Sequence, residues 1–134
     1  MQPSRHIRAA VVAGSLSFLF LLQGCGGASE AAEEPKSPPS VVATVPANGA
    51  VNVAPGAATV SVTFNQPMQA GWSFVVSPYG EAPKIGKPSL SSDRRTISAS
   101  VELEPGKTYA LWLNSPSHRN FMSAKRRPAA PYHY

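Results

Sequence analysis

One cysteine, Cys25, is all the chain carries, so no disulfide within the chain can support it, and any fold must be held by burial and hydrogen bonding. Aspartate is almost missing. Asp93 stands alone in the turn-like stretch "SSDRRT", and Glu81, Glu102 and Glu104 are spread apart, so the closely spaced oxygen ligands of a calcium site are lacking. No Gly-rich phosphate loop occurs, nor a Cys/His pair at zinc spacing. Catalysis needs a positioned acid, base or nucleophile, and this inventory offers none, so neither an enzymatic activity, a cofactor nor a small-molecule substrate is expected. No amphipathic helix of useful length is visible, and no apolar run reaches the roughly 20 residues that cross a bilayer as a helix.

What is present favours turns and strands. The 134 residues include 14 Pro and 10 Gly, with only 14% charged. The formal charge is +5, but Arg5 and Arg8 contribute to that from the extreme N-terminus. From Cys25 onward ten basic residues face seven acidic ones. That excess is too mild for a nucleic-acid binder, which concentrates Lys and Arg along one face.

The N-terminal segment has three zones. Arg5, His6 and Arg8 form a positive front; Ala9 to Leu22, "AAVVAGSLSFLFLL", is apolar and uncharged; small residues then lead out of it. The pattern is that of a secretory signal peptide, here residues 1–24. Its exit, Leu22-Gln23-Gly24-Cys25, resembles the bacterial lipobox. That resemblance implies a cut before Cys25, a diacylglycerol on its thiol, and a membrane as first partner. Each buried CH₂ contributes about 0.8 kcal/mol, and two or more acyl chains make anchoring stable. Gly26, rather than Asp, follows Cys25, which by the same resemblance points to the outer rather than the inner membrane. Residues 25–40 include "GGASEAAEEPKSPPS", small, polar and Pro-bearing, with Glu30, Glu33 and Glu34 as acids. Such a composition reads as a disordered or extended tether, able to reach about 50 Å if fully drawn out.

From Val41 the texture changes. "VVATVP" is a short β-branched run, and "ANGAVNVAPGA" supplies turn signals. "ATVSVTF" alternates, with Val60, Val62 and Phe64 on one face and Thr59, Ser61 and Thr63 on the other. "WSFVVS" repeats the pattern through Trp72, Phe74 and Val76, and "TISASVEL" through Ile97, Ala99, Val101 and Leu103. "EPGKTYALWLN" is a turn and a strand with Tyr109, Leu111 and Leu113 inward, and "APYHY" begins a last strand. Short alternating strands between Pro/Gly turns predict an all-β antiparallel sandwich or barrel over residues 41–134.

The stretch "VVATVPANGAVNVAPGAATVSVTFNQPM" resembles the opening of bacterial Ig-like modules related to S-layer proteins, through Pro46, Asn48, Gly49, Val53, Pro55, Val60, Val62, Phe64, Pro67 and Met68. "LEPGKTYALWL" adds Leu103, Pro105, Gly106 and Tyr109, placed like the tyrosine corner of Ig-type domains. The resemblance implies an Ig-like β-sandwich. Such modules close with a fuller final strand than the one ending at His133-Tyr134, so an incomplete last strand and an open sheet edge are expected.

Candidate interaction residues are few. Lys125, Arg126 and Arg127 stand together and could meet an acidic surface polymer or lipid headgroups, although short basic runs are commonly solvated loop. Trp112 has the opposite parity to Leu111 and Leu113, so it either anchors a partner on an outer sheet face or lies under the loop after Asn114. His118 supports an alternative. "YALWLNSPSHRNF" resembles the late strand of periplasmic copper carriers, and imidazole is a good copper ligand. Yet the Asp-Gly expected before that His is replaced by Pro116-Ser117, and the mature N-terminus would be an acylated Cys25 instead of a His. The expectation is an envelope lipoprotein whose Ig-like module has a structural, adhesive or protein-interaction role, its partner an envelope protein or acidic polymer.

Overall fold

The computed structural model of the chain describes residues 35–134, and the expected signal peptide, the lipobox residues Leu22-Gln23-Gly24, Cys25 and the first part of the expected tether lie outside them. Among the described residues eight strands form: β1 (Val41–Val45), β2 (Gly56–Phe64), β3 (Phe74–Val76), β4 (Lys84–Ile85), β5 (Ser89–Leu90), β6 (Thr96–Leu103), β7 (Leu111–Leu113) and β8 (Tyr132–His133). All strand pairs are antiparallel.

The longest alternating runs make the longest ladder. β2 and β6 pair over eight residues, from Gly56 opposite Leu103 to Thr63 opposite Thr96. Val62 lies opposite Ile97 and Val60 opposite Ala99, so the apolar set of each strand shares one face. Ile97, Ala99 and Val101 are buried there with Val62 and Phe64. On the other face the Thr63 and Thr96 hydroxyls are 3.0 Å apart. A one-residue slip of either strand would send its apolar set to solvent, which fixes the register. β1 extends the sheet along β2, with an irregularity between Val41 and Ala43.

On the far side of β6, β4 and β5 lie end to end, with Ile85 opposite Val101 and Leu90 opposite Ile97. Together they make one broken strand. Gly86 sits in the break, where its N–H donates to Ser100 O at 2.7 Å. A Cβ there would come within 2.1 Å of Ser100 Oγ, so only glycine allows that approach without displacing Ser100.

The second sheet has the order β3-β7-β8. Four strand positions in the first sheet, β1-β2-β6-(β4, β5), against these three is the layout of a constant-type Ig sandwich. Val62, Phe64, Met68 and Ile97 meet Leu113 and Phe121 in the core, with Trp72 and Phe74 packed against them. Val76, expected inward, is instead 69% exposed. It lies opposite Leu111 at the end of a three-residue edge strand, with a neighbouring strand on one side only. The buried residues flanking β3 are polar: Ser73 and Ser77.

The last strand is short, as the sequence suggested, but fastened. Tyr134 continues the pairing past β8, exchanging backbone bonds with Leu111 at 2.8 and 2.6 Å. Its hydroxyl donates to Pro46 O at 2.8 Å, and Asn48 Nδ2 donates to Tyr132 Oη at 3.1 Å. Burial, then the neighbouring Tyr132, raises the Tyr134 pKa.

Two regions not foreseen as core complete the fold. The loop after β7 carries Phe121, which is fully enclosed, and starts from Asn114, equally enclosed. At the other end, residues 35–40, placed in the tether by composition, run along the domain with Pro39 buried. Asn65 Oδ1 accepts from Ser40 N–H, and Asn65 N–H donates back to Ser40 O, both at 3.0 Å.

Candidate functional site

The outer face of the β3-β7-β8 sheet carries Trp112 and His133, with Tyr79 packed beside them. Val75, Trp112 and His133 lie directly opposite one another across the three strands. The Trp112 and His133 rings are 4.8 Å apart. Tyr79, 72% exposed, packs edge-on against His133 at 5.3 Å. Ser77 Oγ and His133 Nε2 share a 2.8 Å hydrogen bond, and Ser77 Oγ also accepts from the Tyr79 N–H at 3.2 Å. Of the two places expected for Trp112, the outer face is the one observed, with His133 from the adjacent strand across part of it. The contributions of Tyr79 and His133 were missed because strand pairing brings them there from 33 residues before and 21 after Trp112.

The basic residues form a tight turn. Arg126 has φ +62 and donates its N–H to Ser123 O at 2.8 Å, while Ser123 N–H donates to Arg127 O at 2.8 Å. Lys125 and Arg126 are exposed. Arg127 is turned to the chain's own backbone, its Nη1 donating to Pro35 O at 3.3 Å and to Lys36 O. The three cations are therefore not equivalent, and two remain open to solvent.

His118 sits in an exposed turn, its Nδ1 3.0 Å from Ser117 Oγ and 3.4 Å from Ser115 Oγ. Among the described residues no three His, Cys, Asp or Glu side chains converge to hold a metal ion. Asp93 holds its own turn together. Its Oδ1 accepts from Ser91 Oγ at 2.5 Å and from Arg95 N–H at 3.1 Å, and these bonds, the Ser91 one first, hold its pKa below the usual carboxylate value.

The tyrosine corner forms as the resemblance implied. The Tyr109 hydroxyl accepts from Glu104 N–H at 2.8 Å, bridging from the start of the β7 segment to the end of β6. Lys107 closes the same corner from outside, its Nζ 2.7 Å from Glu81 Oε2 and 3.1 Å from Glu104 Oε2. These carboxylates, Glu81 first, raise the ammonium pKa above its usual range. Tyr109→Phe removes one hydrogen-bond acceptor and leaves the ring, so a loss of about 1 kcal/mol is expected in urea unfolding. A loss indistinguishable from zero would mean that the corner is held by ring packing alone.

Fold and corner together define an Ig-like β-sandwich, a class that presents surfaces and loops on a rigid core. Residues 35–116 match the family model of the bacterial Ig-like domain, and the chain belongs to that family. No curated protein and no solved structure matches it. The match stops short of Phe121, Ala129 and β8, which nonetheless belong to the core and the second sheet.

Proposed function

We propose that this bacterial Ig-like domain is carried by an envelope lipoprotein and serves a structural, adhesive or protein-interaction role without catalysis. Residues 1–24 direct export and are removed, the Cys25 sulfur becomes a lipid thioether, and the residues after it hold the sandwich at a membrane surface. The S-layer-related type of Ig module suits such a post, and Gly26 after Cys25 favours the outer membrane. The interaction role is carried by the family match over residues 35–116, since the physical strength of this fold is to offer outer faces and loops to other molecules. On that surface Trp112 with Tyr79, and Lys125 with Arg126, are the groups to which an envelope protein or an acidic polymer would dock. The anchor is supported by the order of positive front, apolar run and Leu22-Gln23-Gly24-Cys25.

Cells that express the full chain and are fed labelled palmitate are expected to label it, and Cys25→Ser is expected to lose the label and leave the membrane fraction. Equal labelling of the Ser variant would refute the thioether. Cross-linking in intact cells followed by affinity capture, with Trp112→Ala and Lys125→Ser/Arg126→Ser side by side, then identifies the partner and the face it uses.

A further inference from the structure

The Asn-Gly step in "ANGAVNV" sits against the last strand. Ala50 N–H donates to Ala47 O at 2.9 Å and Gly49 has φ +79, so residues 47–50 make a β-turn with Asn48 and Gly49 at its centre. Both are exposed. The Gly49 N–H donates to no backbone carbonyl among the described residues, and a Cβ on Gly49 would meet nothing within 4 Å. The Asn48 amide, by contrast, is engaged. Its Nδ2 donates to His133 O at 2.8 Å and to Tyr132 Oη at 3.1 Å. Tyr134 exchanges both of its backbone bonds with Leu111, so in an antiparallel ladder the neighbouring His133 turns its carbonyl away from β7. Asn48 therefore caps the open edge of β8. The Tyr134 hydroxyl, bonded to Pro46 O, ties the same loop to the same end of the chain.

We propose that Asn48 and Gly49 form a self-modifying site that unfastens β8 in one direction only. The Gly49 nitrogen, having given its proton to a solvent base, attacks Asn48 Cγ. The new N–Cγ bond closes a five-membered succinimide, the Cγ–Nδ2 bond breaks, and Nδ2 takes up a proton and leaves as ammonia. Water then adds across one of the two imide C–N bonds, giving an aspartyl or isoaspartyl residue at position 48. No oxidant or reductant enters. Glycine suits the step because it has no side chain to hinder the attacking nitrogen. The bonds from Nδ2 hold the amide on β8 and restrain the reaction, so it proceeds in molecules whose last strand has frayed at its edge. Its product cannot refasten in the same way: a carboxylate only accepts hydrogen bonds and has no N–H to offer His133 O. The isoaspartyl form also lengthens the backbone of the turn by one carbon. With the cap gone, β8 loosens from β7. The His133 ring, 4.8 Å from that of Trp112, then no longer keeps its place across it, and the outer face opens with time.

Ageing the full chain in mildly alkaline buffer, with peptide mass mapping and enzymatic methylation of isoaspartate, tests this. Conversion is expected several-fold faster at Asn48 than at Asn52 or Asn120, which precede Val53 and Phe121. In urea, where β8 is undone, Asn48 should convert several-fold faster again. Asn48→Gln is expected to stop the conversion, since the longer side chain closes its ring poorly. The converted chain carries one more negative charge, so ion exchange separates it from fresh protein. Hydrogen exchange at the Leu111 and Tyr134 amides is then expected to be several-fold faster in the converted fraction, and equally so in Asn48→Asp. The site is overturned if Asn48 converts no faster than Asn52 and Asn120, and its restraint by β8 if folded and urea-unfolded chains convert alike. Release of the strand is overturned if the converted fraction and Asn48→Asp both exchange those two amides at the rate of fresh protein. No readout involves Cys25 or a partner, so failure of the anchor or of the docking role is visible separately from failure of this site.

Discussion

Phe121→Ala is expected to lower the unfolding free energy by about 3–5 kcal/mol, the range for removing a large aromatic side chain from a closed core. The ring is 0% exposed. It lies 5.7 Å from the Phe64 ring and meets Phe74 edge-on at 5.2 Å. It therefore joins β2 of one sheet to β3 of the other, although it belongs to neither. The backbone around it has no long ladder to hold it, so the ring also keeps the loop in place. For a domain of this size each kcal/mol moves the melting temperature by about 4–8 °C, so a drop of about 12–40 °C is expected. Urea unfolding followed by the fluorescence of Trp72 and Trp112 measures it. A loss under about 1 kcal/mol would show that the ring contributes no more than an ordinary surface-adjacent position.

Asn114→Ala should cost a similar amount by a different route. The residue has φ +62, a conformation that Asn tolerates and Ala does not. Its Nδ2 donates to Phe121 O at 2.9 Å and to Ala129 O at 3.0 Å, while Oδ1 accepts from Phe121 N–H at 2.9 Å. One amide thus replaces a missing strand, tying both arms of the loop to the end of β7. After truncation Phe121 O keeps the bond from Ala129 N–H at 2.8 Å, but Phe121 N–H and Ala129 O lose theirs. Each orphaned buried group costs about 1–3 kcal/mol and the left-handed backbone about 1 more, for a total of about 3–7 kcal/mol. Asn114→Asp separates the two components. It keeps the acceptor but turns a carboxylate toward two carbonyls, so burial raises its pKa in the folded protein. Below the unfolded-state value of about 3.9 both states are protonated, and the added deficit opens as pH rises above that point. Urea unfolding at low and neutral pH reads this out, and a deficit independent of pH would contradict the geometry around Asn114. Because Asn114 and Phe121 share one loop, the double variant is expected to cost less than the two single losses together.

The parts of this molecule that were legible beforehand are those whose signal is local. Val60, Val62 and Phe64 alternate within one strand, and so do Ile97, Ala99 and Val101. Period two needs no knowledge of what lies opposite. The tyrosine corner was legible for the same reason, since Tyr109 reaches back only five residues to Glu104. Trp112 could be placed on an outer face by parity alone. What failed by this method was the side chain whose surroundings depend on position in the sheet. Val76 obeys the alternation and is still exposed, because an edge strand lacks a neighbour on one side.

By itself, then, the order of residues determined the class of fold, the strands that build its main ladder, the turn chemistry between them and the one cysteine available to an anchor. Tertiary structure alone decided that Phe121 and Asn114 complete the core, that Arg127 serves the backbone of Pro35 and Lys36, and that Tyr79 and His133 join Trp112. The reason is physical. Alternation and turn preference are set by sterics between near neighbours, whereas the partner of a buried amide or a guanidinium is whichever group chain crossing brings within about 3 Å, here up to 92 residues away.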